Sequence, residues 1–352
     1  MKVLHVINSL AAGGAEKLVS ELTSALSETC EVSLFTFQNS QDIFRENLGG
    51  NVHFYSVAEG GFFSIKKLRV LSKLIKQHDV IHAHLFPTFY IVAFLSLFRR
   101  RKKFIYTEHN THNKRRKWFF WLLEKWVYAR YNTIICISKG VEKSLQNWIG
   151  IATNTKIITN FVDLEKIAGI SKKKTMLPDV SNSVPLVMVG SFSEQKDQET
   201  LVKTISVLPE QYLLLLIGDG PKRVFVEEQV AKLKLTQRVF FLGIQKDVIS
   251  ILKHCKYGIL SSNWEGFGIV ALEYMASGLI ALGTDVSGLN EVIRVKENLF
   301  TVGNHQQLAN RIVAIETNEG LTKTIESKQN SLILDFDIAA SVKQHLEVYK
   351  LS

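Results

Sequence analysis

SNWEGFGIVALEYMASGLIALGTDVSGLNE, residues 262–291, is the stretch around which the rest of the chain is organised. Glu265 and Glu273 flank a small-residue loop, Gly266-Phe267-Gly268, and an apolar run from Ile269 to Leu272. The two glycines let backbone come close to a ligand. Leu272, Tyr274, Met275 and Ala276 continue a helical pattern that Gly278 stops. Glu265 therefore falls in the loop before a helix, and Glu273 in its early turns. The free N–H groups and positive end of that helix point at whatever lies beside Glu265. Carboxylates accept hydrogen bonds from hydroxyls, and unpaired helix N–H groups bind phosphate or polyol oxygens. The combination suits a sugar attached to a phosphate. Either glutamate alone would read as the exposed face of an amphipathic helix; the whole string reads as a site.

The 352 residues are long for one core and comfortable for two domains. An apolar share of 46% and a charged share of 22% are ordinary for a globular chain. Three cysteines, Cys30, Cys136 and Cys255, are far apart and odd in number, which argues for a reduced, cytoplasmic chain. The opening MKVLHVINSL is too short in its apolar part for a signal peptide and reads as a first buried strand. No apolar run approaches the ~20 residues of a membrane span. The formal charge of +10, concentrated in the first half, points to an acidic partner.

In the first half, Lys2 to Ile7 reads as a strand, followed by a Gly13-Gly14 turn and a helix to Leu26, the phosphate-binding layout of a doubly wound sheet. No full GxGxxG is present, so a dinucleotide fingerprint is absent. Further strands are expected at 32–37, 52–57, 80–84, 104–106, 133–137 and 157–159, with an amphipathic helix at 65–77. His82 and His84 end one strand; His109 and His112 follow the next. Four histidines raise the question of a metal, but no cysteine or carboxylate completes a ligand pattern beside them. Two basic clusters, Arg99 to Lys103 and Lys114 to Lys117, flank this segment, and the second runs into WFFWLLEKW (118–126). Aromatic rings beside cations are what an interfacial membrane helix needs. The competing reading buries Leu122, Trp126 and Ala129 against a sheet. The second half repeats strand, loop and helix from Leu186 onward, so a second parallel sheet is expected.

The Glu265-GFGIVAL-Glu273 spacing resembles the mark of the family-4 retaining glycosyltransferases, which have the GT-B fold, and the resemblance covers nearly the whole chain. It implies an α/β architecture of two doubly wound, Rossmann-like domains facing a cleft. Residues 1–165 would bind acceptor, 166–185 would be a linker, and 186–336 would bind a nucleotide sugar. A last helix over 337–352 would pack back on the first domain. Catalytic roles would fall to His109, Lys196 and Glu265. Glu273 would hold the ribose hydroxyls. Glu265, with backbone at Gly266, Phe267, Gly268, Ile269 and Val270, would hold sugar hydroxyls and phosphate. Lys196 keeps its place in a loop, Gly190 to Asp197, similar to the family's donor-phosphate loop, but Ser191 stands where the family usually has arginine. Gly14 would approach the donor phosphate, and Gly13 and Glu16 would lie on the acceptor side. His109 would face the transferred sugar while His82 and His84 support its loop. Phe161 replaces the glycine of the family's Asn-Gly-Val-Asp.

The resemblance further implies a nucleoside diphosphate sugar as donor, such as a UDP-sugar, and a saccharide or lipid-linked saccharide as acceptor, in bacterial surface polysaccharide assembly. No metal is expected, since no Asp-x-Asp sits at a strand end and Lys196 would do the work of a divalent ion. An anionic membrane surface is a further expected partner. Nucleic acid is not, because the basic clusters come with no recognition module. Two alternatives stand beside this reading: a non-catalytic nucleotide-sugar-binding protein, favoured by Ser191, and a transferase acting on a soluble small molecule.

Overall fold

The computed structural model describes residues 1–11, 13–38, 42–57, 60–99, 101–111, 116–150, 154–172, 177–178 and 182–351. The chain divides into two compact units: unit 1 is Met1–Phe161 with Ile338–Ser352, and unit 2 is Val162–Asp337.

Unit 1 is built on β1 (Lys2–Ile7), β2 (Glu31–Thr36), β3 (Val52–Ser56), β4 (Val80–His84), β5 (Lys103–Glu108), β6 (Thr133–Cys136) and β7 (Thr155–Ile157). They form one parallel sheet in the order β3-β2-β1-β4-β5-β6-β7. Central strands of such sheets are covered on both faces and so carry near-continuous apolar runs. Val3, Leu4, Val6 and Ile7 obey this and are fully buried. His5 breaks the run, as do His82 and His84 in β4, and all three are buried as well. Connecting helices are α1 (Gly14–Leu26), α2 (Ile65–Gln77), α3 (Thr88–Ser96), α4 (Trp121–Tyr128) and α5 (Lys139–Ile149).

Unit 2 begins with α6 (Leu164–Gly169) and β8 (Val184–Val189). It continues through α7 (Gln198–Val207), β9 (Tyr212–Ile217), α8 (Arg223–Lys232), β10 (Val239–Gly243), α9 (Val248–Leu252) and β11 (Tyr257–Leu260). It closes with α10 (Ile269–Ala276), β12 (Ile280–Thr284), α11 (Leu289–Val292), β13 (Leu299–Phe300), α12 (His305–Thr317) and α13 (Glu319–Ile333). Its parallel sheet runs β10-β9-β8-β11-β12-β13. The final helix, α14 (Ile338–Leu351), belongs to unit 1 and lies against α1.

Two local expectations need correction, and the competing burial of Leu122, Trp126 and Ala129 fails. The stretch 166–185, read as a linker, is regular at both ends, in α6 and β8. Lys253 Nζ donates to the Ile167 carbonyl at 2.9 Å and so anchors α6 to unit 2. The last strand of the first half is Thr155–Ile157 rather than 157–159. In α4 the covered side is Glu124, Val127 and Tyr128, whereas Leu122 is 73% exposed and Trp126 also faces water. The buried polar residues decide this: Glu124 accepts from the Tyr90 hydroxyl and the Trp148 indole N–H, both at 2.7 Å. A carboxylate out of water must be hydrogen-bonded, and α4 rotates to satisfy it. Among the described residues no helix is long and apolar enough to cross a membrane.

Candidate functional site

In open α/β sheets, ligands sit beyond the carboxyl ends of the strands, where strand order reverses. That point lies between β8 and β11 in unit 2 and between β1 and β4 in unit 1.

In unit 2 the loop after β8 carries Lys196 and the loop after β11 carries Glu265. Lys196 Nζ pairs with Glu265 Oε1, and the Ser262 hydroxyl donates to the same oxygen at 2.7 Å. The two loops are tied together around this pair. Asn263 N donates to the Gln195 carbonyl at 2.7 Å, and Gln195 Nε2 donates to the Trp264 carbonyl at 3.0 Å. The Ser261 hydroxyl donates to the Asp197 carbonyl at 2.7 Å. Gly190 leaves room for the lysine stem: a Cβ there would lie 3.3 Å from Lys196 Cδ. A third loop closes in through Gly288, whose φ of +90° favours glycine and whose Cβ would lie 2.7 Å from the carbonyl oxygens of Glu265 and Gly266.

Helix α10 starts immediately after this loop, with Gly268 as its N-cap in the left-handed region. Its side chains offer no cap hydrogen bond, so the first N–H groups, at Ile269 and Val270, are left for another partner. Glu273 is buried in the second turn of the helix. The Phe267 side chain is core, packed edge-on against Phe336 at 5.8 Å, so only its backbone is left for a ligand. Ser191 sits in an exposed position, its hydroxyl 3.3 Å from that of Ser193. Structure therefore brings Lys196, Glu265 and the start of α10 into one place together with Ser262 and Gly288, and adds contacts from Gln195 and Asn263 to which the motif reading gave no role. Tyr274 is another addition. Its hydroxyl accepts from Val189 N at 2.8 Å, and its ring fills the space over Gly258. A pattern of polar and glycine residues just past each strand end was the available signal.

In unit 1, Gly13 is the N-cap of α1 and Gly14 its first residue. The Glu16 carboxylate folds back over Gly13, where a Cβ would lie 2.1 Å from its Oε2, so a larger residue would displace that carboxylate. Burial raises the Glu16 carboxyl above its ordinary value. His109 follows β5, and its loop is braced by Glu108, which accepts from Asn110 N at 3.2 Å and from the Tyr128 hydroxyl at 2.5 Å. Burial pushes His109 down to about 4, so its imidazole is neutral at pH 7. His112, Arg100, Lys114 and Arg115 lie outside the described residues. Arg116 is no free surface cation, since it donates to the carbonyls of Thr111 and Ser144 at 3.1 and 3.2 Å.

His5, His82 and His84 bring three ring nitrogens within 4.8 Å of one another. Five of the six ring nitrogens are committed to one another and to hydroxyls, and His84 Nδ1 has no partner among the described residues. His5 Nδ1 lies 3.1 Å from His84 Nε2, and His82 lies between the hydroxyls of Tyr349 and Thr107 at 2.8 and 2.7 Å. With no carboxylate among them to offset a divalent charge, the set fits a neutral hydrogen-bonded cluster better than an ion.

Residues 12–166 match the model of Glycosyltransferase Family 4, and residues 173–331 match that of Glycosyl transferases group 1. The chain belongs to this glycosyltransferase family. Among curated relatives it is 28% identical to the lipopolysaccharide core biosynthesis glycosyltransferase LpsE of Rhizobium meliloti. That match spans 63% of this chain and 65% of LpsE, just under two thirds of the relative. It is 24% identical, over 94% of both chains, to a Campylobacter jejuni N-acetylgalactosaminyltransferase acting on a diphospho-undecaprenol-linked saccharide. Of solved structures, Anabaena HepE in complex with UDP and glucose superposes with a TM-score of 0.87 over 99% of both chains at 22% identity. The chain therefore has the GT-B fold.

Proposed function

We propose that this glycosyltransferase moves a sugar from a nucleoside diphosphate sugar to a saccharide acceptor with retention of anomeric configuration and without a metal. The observation that carries the reading is the Lys196–Glu265 pair beside the uncapped start of α10. An ammonium and free helix N–H groups suit a diphosphate, and a carboxylate beside them suits sugar hydroxyls. The donor displaces one partner of each charge: phosphate takes up Lys196, and the sugar takes up Glu265. Glu273, buried in the second turn of α10, is assigned to the ribose hydroxyls.

In the transfer itself, the bond from anomeric carbon to phosphate oxygen breaks and the bond from acceptor oxygen to that carbon forms. The acceptor's proton passes to the leaving diphosphate. Lys196 stabilises the developing charge. His109, neutral at pH 7, is assigned to the transferred sugar as a hydrogen-bonding group and not as a cation. The UDP and glucose bound by HepE support a UDP-sugar donor. The undecaprenol-linked substrate in the Campylobacter enzyme's name supports a lipid-linked acceptor, and LpsE supports bacterial surface polysaccharide as the pathway.

A lipid-linked acceptor calls for a membrane face, and unit 1 has a candidate. Trp118 is 86% exposed, and Phe119, Leu122 and Leu123 are exposed beside it at the start of α4. On α3, which packs against α4, Phe94 is exposed, and Phe98 follows just past its end. Arg99, Lys117 and Lys125 flank these residues in the sequence. Rings and aliphatic groups at headgroup depth with cations around them suit an anionic bilayer surface at the cytoplasmic side.

The test is donor binding and transfer in excess chelator, comparing the wild type with Glu273→Gln. The variant keeps shape but loses charge-assisted hydrogen bonds worth roughly 1.5–3 kcal/mol each. UDP-sugar affinity should fall about tenfold or more while the melting temperature scarcely moves. Unchanged affinity would remove Glu273 from the site, and loss of wild-type activity in chelator, restored by magnesium, would remove metal independence.

A further inference from the structure

Unit 1 contains a chain of buried side chains that the proposed chemistry does not use. It starts at Tyr349 on α14. The Tyr349 hydroxyl lies 2.8 Å from His82 Nδ1 and 3.3 Å from His5 Nε2. His82 Nε2 meets the Thr107 hydroxyl at 2.7 Å, and His5 Nδ1 meets His84 Nε2 at 3.1 Å. Register explains the meeting: His5 of β1 pairs directly with His82 of β4, and His84 is two residues on, so all three rings share one face of the sheet. The chain ends at His84 Nδ1, which is buried without a hydrogen-bond partner. His109 Nε2 is buried without a partner too. Both histidines line the same cavity of about 20 Å³, together with Thr159 and Asn160. One water needs about 10–15 Å³ on this measure and two or more polar partners.

A neutral imidazole carries one proton, on one nitrogen, and a phenol donates one hydrogen bond. These counts leave two arrangements. If Tyr349 donates to His5 Nε2, His5 donates from Nδ1 to His84 Nε2, so His84 carries its proton on Nδ1. Tyr349 then accepts from His82 Nδ1, and His82 Nε2 accepts from Thr107. If Tyr349 donates to His82 Nδ1 instead, His82 donates from Nε2 to Thr107, and Tyr349 accepts from His5 Nε2. His5 Nδ1 then accepts from His84 Nε2, and His84 Nδ1 is bare. In the first arrangement all three rings are protonated on Nδ1; in the second, all three on Nε2.

We propose that Tyr349 and His84 are positioning residues for His109: a water in this cavity bridges His84 Nδ1 and His109 Nε2, and the Tyr349 hydroxyl selects which tautomer His84 presents to it. Helix α14, the end of the chain, thereby sets the hydrogen bonding of a ring in the loop after β5. Burial keeps the rings neutral, as the chain requires, holding His5 at about 3 and His82 and His84 well below the ordinary histidine value. Burial likewise holds the Tyr349 phenol well above its usual range, so it keeps its proton. Only the use made of His109 rests on the proposed transfer reaction; the water and the tautomers do not.

The experiment is histidine-selective ¹⁵N NMR on the full chain at neutral pH, without substrate, assigned by single His→Gln variants. Ring ¹⁵N shifts distinguish the two tautomers. The expected result is one shared tautomer for His5, His82 and His84, with Overhauser contacts from a long-lived water to the ring protons of His84 and His109. Tyr349→Phe should then shift the His84 nitrogens although residue 349 does not touch that ring, and should lower kcat several-fold at unchanged donor KM. A mixture of tautomers among the three wild-type rings, or no water at His84 and His109, would overturn the proposal even if the variant failed to fold. His84 signals unmoved in a folded Tyr349→Phe would overturn it too. Intact tautomer coupling with no effect on kcat would instead break the link from His109 to transfer.

Discussion

Both units gather candidate residues near the point where strand order reverses, yet the two groups differ in charge. Unit 2 keeps an ammonium and a carboxylate in contact, partly open to solvent, beside an uncapped helix start. Unit 1 buries His5, His82, His84 and His345, with a half-buried His109 beside His84 and no carboxylate among them. The difference teaches that the same topology serves two tasks. On the proposed reading, a site that accepts a diphosphate keeps charges that can change partners. A site that must hold a ring in place uses neutral groups whose hydrogen bonds are directional and whose charging is opposed by burial.

Acid should separate the two units most widely. Burial depresses His5 to about 3 and His109 and His345 to about 4, with His82 and His84 also well down. The unfolded chain therefore binds protons that the folded one refuses. Their contribution to stability is complete above about pH 6.5, the unfolded value. It is lost as pH falls from there toward the folded values, at up to ~1.4 kcal/mol per pH unit for each histidine. Hydrogen exchange between pH 7 and 5 should show unit 1 opening well before unit 2. Equal loss of protection in both would break the comparison.

The charged pair of unit 2 should respond to substitution rather than to mild acid. Lys196→Met leaves the Glu265 carboxylate buried without its cation, at a cost of about 2–3 kcal/mol. Adding Glu265→Gln should recover most of that stability, read from chemical denaturation, because the orphaned charge is gone. Donor binding should stay lost in the double variant. If the double variant bound UDP-sugar as the wild type does, the pair would be structural only.

The smallest effect concerns the surface of unit 1. Liposomes of anionic lipid should bind the wild type at low salt and release it at high salt. Trp118→Ser should weaken that binding roughly fivefold, about 1 kcal/mol for a ring withdrawn from the interface, and leave donor affinity alone. A wild type that ignores anionic liposomes would leave the aromatic face for a protein partner or a second copy, and would favour a soluble acceptor.

Much of this was present in the sequence itself. Hydrophobic period and turn residues placed β1, α1, α2 and β4 with their residues, because period and punctuation are local properties. The string from Glu265 to Glu273 placed a carboxylate before a helix start for the same reason. What needed the tertiary structure was anything that depends on partners distant in the chain. The charge of Lys196 meets Glu265 only because β8 and β11 are neighbours in the sheet. His82 and His84 looked like loop supports or metal ligands until register set them beside His5, and α14 brought Tyr349 to them from the other end of the chain. The covered face of α4 could not be chosen from its apolar pattern because the deciding interaction, Glu124 with Tyr90 and Trp148, joins three separate helices. Local sequence carries backbone preference and spacing; the pairing of buried polar groups is a property of the packed core, and only folding decides it.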